Sequence, residues 1–326
     1  MKRIPIKVIS TQESNLLQVR FFPTDICNYN CSYCFPGSHD AKYRYPKDVE
    51  LIVKNFKILF DYYKTLGKEK FHLVIAGGGE PTLWPHLEQF CQELKRIYNV
   101  YITIITNGSR TLSWWDNNSK YFDDVVLSCH HEFVDIDHFV SVGDLLFESG
   151  IKVTALALMD AEYWDKCTLN VDQMLNSKYP WYIQTKVIVG VPEKGADVYS
   201  QEQYNYANDS LKRMPNSDWL LKRLDEIKLY ESVVIFNDDT AVTARPHTIL
   251  INQWNNFKGW SCKIGMESVA IDASGRLRVS CGLNMFSEDL NIFSNNFQIS
   301  ELPNMIVCTK DLCNCQPDTH ATKCII

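Results

Sequence analysis

From about residue 17 to residue 215, apolar runs of strand length alternate with segments of helical spacing, and few architectures accept such an alternation. Strands joined by helical crossovers run parallel, with helices covering the sheet. The runs are LLQVRFF (17–23), FHLVIA (71–76), VYITIIT (100–106), DVVLSC (124–129), KVTALAL (152–158) and WYIQTKVIVG (181–190). Helical patterns occupy 48–63, 85–98 and 135–149. Six βα units are too few to close an eight-stranded barrel, so the expected fold is α/β, a partial (β/α)6 barrel over residues 1–215 with its working loops at the strand C-termini. Beyond residue 215 the texture changes. VVIFNDDTAVTA (233–244) and VAIDASGRLRVSC (269–281), the latter turning at Ser274-Gly275, have the pattern of hairpins, and both lie near late cysteines. Residues 216–326 are therefore expected to form a small, cysteine-rich α+β domain.

A formal charge of −6 with scattered basic residues offers no footprint for a phosphate backbone, so nucleic acid is not an expected partner. The start, MKRIPIKVIS, lacks the apolar stretch of a secretory leader. No later segment reaches the roughly 18 uncharged apolar residues that span a bilayer. The expectation is a cytoplasmic protein without membrane contact, in which twelve cysteines serve metal ligation or catalysis rather than disulfides. Three crowd at 27, 31 and 34, and six lie between 262 and 324. The others, Cys91, Cys129 and Cys167, read as small buried hydrophobes, with Cys129 set apart by its place at a strand end.

The C-x3-C-x2-C spacing of Cys27, Cys31 and Cys34 implies a loop wrapped around one object. A cubane [4Fe–4S] cluster held by three thiolates leaves its fourth iron free to bind something else. Zinc is the rival, and it needs a fourth ligand for which His39 is the local candidate.

With this triplet the chain resembles the radical S-adenosylmethionine (SAM) superfamily, whose hallmark has an aromatic residue before the third cysteine; here that residue is Tyr33, and Phe35 follows. The resemblance extends to Gly78, Gly79, Glu80 and Pro81, which end the second strand where the superfamily binds the amino group of SAM. Glycines there let backbone approach a ligand, and Pro81 holds Glu80 extended. Thr106, Asn107 and Gly108 close the third strand and Ser128 closes the fourth, at positions that contact the methionine part or the ribose in relatives; singly, each is an ordinary turn or strand-end residue. Ile188, Gly190 and Glu193 fit the I-x-G-x-x-E adenine-supporting pattern, with Lys186 where that pattern begins with glycine. The resemblance covers residues 17 to 195. It implies one-electron cleavage of bound SAM to a 5′-deoxyadenosyl radical that abstracts hydrogen from a substrate, fed by an external donor such as flavodoxin or ferredoxin. A site shielded from water suits such chemistry.

The segment from Lys258 to Cys281 resembles the start of the SPASM and twitch auxiliary-cluster domains. The later C-x4-C-x-C spacing is closer to the short twitch form with one second [4Fe–4S] cluster, with ligands drawn from Cys262, Cys281, Cys308, Cys313 and Cys315 and Cys324 a lesser candidate. Zinc stays open there, since four thiolates suit either metal. An auxiliary cluster points to an oxidoreductase.

Three functions compete. The first is a net oxidation or cross-link on a ribosomally made peptide; with 26 residues before the first cysteine, it would need a separate peptide-recognition protein. The second is a dehydrogenase or isomerase of a small polar metabolite such as a sugar or aminocyclitol. The third is a non-catalytic metal-binding protein, which would need no SAM pocket. Cys129 could serve as a thiol hydrogen donor, although Ser128 beside it claims the interior of the sheet. His130 and His131 could accept a proton after oxidation, with surface histidines as the plainer reading. Trp84 and Trp114-Trp115 could line the mouth or, by default, pack the core.

Overall fold

The computed structural model describes residues 3–34, 45–188, 198–214, 231–279, 290–299, 302, 304–313 and 316–326. Its main elements run β1 (Pro5–Ser10), β2 (Leu16–Phe21), α1 (Val49–Thr65), β3 (Lys70–Ile75), α2 (Leu87–Ile97), β4 (Val100–Thr106), α3 (Leu112–Asn118), β5 (Asp124–Cys129), α4 (Ile136–Glu148) and β6 (Lys152–Met159). They continue with α5 (Trp164–Leu175), β7 (Tyr182–Val187), α6 (Gln201–Asn208), β8 (Ser232–Phe236), β9 (Ala241–Ala244), β10 (Ser261–Cys262), β11 (Ser268–Ile271), β12 (Leu277–Arg278), β13 (Ile306–Val307) and β14 (Lys323–Cys324). Two compact units emerge, one of residues 21–49 and 74–223, the other of residues 1–20, 50–73 and 224–326.

In the first of these, β4, β5, β6 and β7 pair in parallel and in sequence order, with Ile104 beside Val125, Val125 beside Val153 and Ala155 beside Ile183. Their apolar character on both faces follows from burial on both faces. Ile102, Ile104, Val125, Leu127, Val153 and Ala155 are wholly buried, each contributing up to about 1.5–3 kcal/mol for the larger side chains. Helices begin where the sequence supplies caps: Thr111 Oγ1 accepts from the Trp114 amide (3.3 Å), and Asp135 Oδ1 from the His138 amide (3.2 Å). Ser200 and Gln203 form a reciprocal capping box at α6. The strand C-termini all deliver their loops to one edge, which is where parallel sheets carry their sites.

The other unit is built on a six-stranded sheet in the order β13-β10-β14-β1-β8-β9. Here β1 pairs antiparallel with β8 (Val8 beside Val234) and with β14 (Val8 beside Lys323). The sequence reading contains no such strand, and it assigns the whole of 1–215 to one domain; instead, residues 1–20 and 50–73 pack with the C-terminal segment. The physical reason is that β1 has one fully buried side chain, Val8, so its identity comes from its partners rather than from alternation. Both expected hairpins form, β8 with β9 and β11 with β12. Gly275 turns the second with φ +84°, and a Cβ there would lie 2.4 Å from Asn291 Oδ1 and from the Phe293 ring. Arg20 and Asp318 make a buried ion pair at 2.6 Å.

Candidate active site

The loop after β2 carries Cys27, Cys31 and Cys34, and the GGEP turn after β3 is packed directly against it. A Cβ on Gly79 would sit 2.2 Å from the Ile26 carbonyl oxygen, so this contact requires glycine. The Glu80 amide donates to that same Ile26 oxygen at 2.8 Å. Glu80 itself is buried and ties two loops together. Its Oε1 accepts from the Thr82 amide (3.0 Å), Thr82 Oγ1 (2.6 Å) and Thr106 Oγ1 (2.7 Å), and its Oε2 from the Asn107 amide (2.7 Å). Burial raises its pKa, opposed by those donors. Pro81 opens a short helical turn that Glu80 caps. The carboxylate expected to face a ligand ammonium thus spends its acceptors on the protein's own Thr-Asn-Gly loop. Asn107 then reaches the cysteine loop, its Nδ2 donating to Asn28 Oδ1 (2.9 Å) and lying 4.0 Å from Cys27 Sγ.

On the other side, three consecutive residues beyond β5 grip the cysteine loop. His130 Nδ1 lies 3.5 Å from Cys31 Sγ and 3.1 Å from Tyr33 Oη. His131 stacks on Tyr33 (5.3 Å) and on Tyr163 (5.1 Å), with its Nε2 3.7 Å from Asp160 Oδ2. The Glu132 carboxylate accepts from the Ser32 amide (2.8 Å) and from the Ser32 hydroxyl. The surface reading of the two histidines is therefore overturned, because the turn at the end of β5 folds His130 to half-burial and His131 to full burial against Tyr33. Burial first, then His131, pushes His130 down to about 4. Burial likewise pushes Cys27 up and Cys31 up to about 12, with Cys34 adding charge repulsion to both. Ile188 packs on Cys31 and Tyr33, as does Leu158.

Strand alternation separates the remaining candidates. Cys129 Sγ accepts from Asn170 Nδ2 of α5 at 3.8 Å, and burial pushes it up to about 12. Ser128, also buried, faces the opposite side of the sheet, as His130 does. Trp84 is core: it packs on Phe21 and Phe90, and its Nε1 donates to the Pro46 carbonyl. Trp115 is fully buried, with Trp114 edge-on to it. Phe35, His39, Gly190, Glu193, Cys281 and Cys315 lie outside the described residues.

Of the late cysteines, Cys262 is buried in β10, while Cys308 and Cys313 pack beside the cluster of Phe257 and Trp260. Burial raises Cys313 and pushes Cys262 up to about 11, and the Lys323 ammonium lowers both. Cys324 pairs with Ser261 and Lys323 with Cys262, so Cys324 lies on the other face of the sheet from Cys262.

Cys27, Cys31 and Cys34 bring three thiols together on one loop, a donor set that suits a cubane, which offers each thiolate its own iron. Sequence reasoning did not find Asn28, Glu132 or Asp160; nothing in their spacing marks them, since each acts on a residue remote in sequence.

Residues 21–132 match the family model described as the radical SAM superfamily. An S-adenosylmethionine-dependent nucleotide dehydratase from Thermoplasmatales archaeon strain ISO4-H5 is 29% identical over 156 residues, 43% of this chain and 51% of that protein. Curated relatives are matched over 16% to 60% of their own length. Among solved structures, Streptococcus suis SuiB bound to precursor peptide SuiA aligns with TM-score 0.54 at 18% identity, covering 87% of this chain and 64% of that one. Native anSMEcpe with bound AdoMet aligns with TM-score 0.52 at 18% identity, covering 85% and 78%. The chain shares the α/β fold of these structures, including a parallel-strand sheet, and its similarity to the radical SAM model lies in residues 21–132.

Proposed function

We propose that this protein is a radical SAM enzyme whose Cys27, Cys31 and Cys34 hold a [4Fe–4S] cluster and whose GGEP and Thr-Asn-Gly loops form the adjoining SAM site. The observation that carries the reading is the convergence of three strand-end loops on the loop of the three cysteines: Gly79 and Glu80 with Ile26, Asn107 with Cys27, and His130 with Cys31. The bound pair would supply one-electron reductive cleavage of SAM, ending in methionine, 5′-deoxyadenosine and a substrate lacking one hydrogen atom. Glu80 orients Asn107, Gly79 admits close backbone approach, and Tyr33 with Ile188 gives the site an apolar wall. An external one-electron donor, such as flavodoxin or ferredoxin, completes the cycle. In this reading the working strands form a partial barrel, with Gly78, Pro81 and Ser128 as further parts of the SAM site, and Cys262, Cys308 and Cys313, together with Cys281 and Cys315, contribute an auxiliary [4Fe–4S] cluster.

The substrate proposed is a ribosomally made peptide, oxidised or cross-linked, presented with the help of a separate recognition protein. Fold similarity over 87% of the chain to an enzyme solved with its precursor peptide supports this choice. Loss of a second electron and proton would complete such an oxidation, and an auxiliary cluster is a fitting acceptor. The second reading, a small-metabolite enzyme, is favoured by the sequence relative named a nucleotide dehydratase. Anaerobic reconstitution with iron and sulfide, then dithionite and SAM, tests the core of the proposal. Release of 5′-deoxyadenosine by the wild type and not by the Cys27, Cys31, Cys34 triple alanine variant is expected; equal release from both would refute it. Deuterium transferred into 5′-deoxyadenosine from a labelled peptide, and not from labelled nucleotides, separates the two substrate classes.

A further inference from the structure

We infer that His130 is a positioning residue that donates its Nδ1–H to the Cys31 thiolate and so sets the redox balance of the cluster. This inference rests on the cluster assignment proposed above. Cys129 turns toward α5, so strand alternation turns His130 toward the cysteine loop. There Nδ1 stands 3.5 Å from Cys31 Sγ and 3.1 Å from Tyr33 Oη. A thiolate bound to iron has only lone pairs to offer, so a neighbouring ring nitrogen bonds to it as a donor; the acceptor's chemistry assigns the tautomer.

The geometry is held from several directions. The imidazole lies nearly parallel to the Tyr33 ring, at 10° and 6.0 Å, and edge-on to Tyr29 at 6.1 Å. The next two residues anchor the same loop, His131 by stacking on Tyr33 and Glu132 by bonding the Ser32 amide. The charged and titratable groups facing His130 are therefore Tyr29, Cys31 and Tyr33 of the loop and His131 and Glu132 of its own turn. A donor fixed on a ligating sulfur withdraws negative charge from the cluster. That favours the reduced form, which carries one more electron than the oxidised form, and it raises the potential.

The test is an EPR-monitored redox titration of the anaerobically reconstituted full chain, without SAM, following the signal that disappears in the triple alanine variant of Cys27, Cys31 and Cys34. For His130→Phe, which keeps a flat ring and loses the donor, the reduced-to-oxidised ratio at fixed potential should fall about tenfold, a 59 mV shift for a one-electron couple. His130→Asn, whose amide nitrogen occupies the place of Nδ1, should stay within about threefold of wild type, because it keeps the charge-assisted donor. Equal potentials in wild type and His130→Phe overturn the inference and leave the cluster assignment standing. A wild-type signal that survives the triple substitution overturns the assignment itself. If His130→Phe takes up no iron, 15N-histidine labelling of the wild type decides the matter: a nitrogen hyperfine coupling to the reduced cluster supports the bond, and its absence refutes it.

Discussion

Replacing Glu80 should loosen the site from inside, and the size of the effect follows from its four donors. Two are backbone amides, of Thr82 and Asn107, and two are hydroxyls, of Thr82 and Thr106. In Glu80→Ala the hydroxyls can rotate to other acceptors, while the two amides are left buried and unpaired at about 1–3 kcal/mol each, so a loss near 4 kcal/mol is expected. Glu80→Gln keeps the shape. Its oxygen can serve the three donors on Oε1, which leaves an NH2 facing the Asn107 amide, at a cost of about 2 kcal/mol. Native-state hydrogen exchange on metal-free protein reads this directly. The Asn107 amide should exchange about 30-fold faster in Glu80→Gln than in wild type, since every 1.36 kcal/mol is tenfold. SAM cleavage should fall in parallel, because Asn107 bridges to Asn28 in the cysteine loop. Unchanged exchange at Asn107, with global stability within about 0.5 kcal/mol of wild type, would mean that Glu80 does not hold the Thr-Asn-Gly loop.

Gly79→Ala should lower iron uptake at the N-terminal site with the fold retained by circular dichroism, because its Cβ would press within 2.2 Å of the Ile26 carbonyl and displace the cysteine loop. Cys129→Ala should leave 5′-deoxyadenosine release unchanged, since its thiol bonds Asn170 on the α5 side; a collapse in turnover would restore it as a hydrogen donor. His320 supplies a pH prediction. Burial first, then Lys323 and Arg20, push its pKa from 6.5 down to about 4, against an opposing pull from Asp318. Because the folded value lies below the unfolded one, its contribution is present above about pH 6.5 and is lost as the pH falls toward 4. His320→Gln should therefore remove about 3 kcal/mol of the wild type's acid destabilisation between pH 7 and pH 4, measured by urea unfolding.

The strands were legible because parallel strands buried on both faces leave continuous apolar runs: VYITIIT and DVVLSC coincide with β4 and β5 residue for residue. The cysteine triplet was legible as a motif because its thiols are close together in sequence. What escaped depended on partners far away. β1 is marked by its pairing with β8 and β14, more than 220 residues on, and Glu132 is defined by Ser32, 100 residues earlier. The role of Glu80 was half legible. A carboxylate after two glycines signals a site, and only the fold shows that its lone pairs go to Thr82, Thr106 and Asn107.

These bonds give the site one electrostatic character. Cys27 and Cys31 are pushed up by burial and by Cys34, and the Glu80 carboxylate acts on Cys27 and Tyr29 in the same direction. Acidic groups gathered away from water resist ionising until a cation arrives, so the region penalises its own charged form and rewards iron or a sulfonium. The donors around Glu80 are all neutral, so they bring no opposing charge to the site. At the SAM site proposed above, Glu80 would serve a cationic cofactor without touching it, through its hold on Asn107.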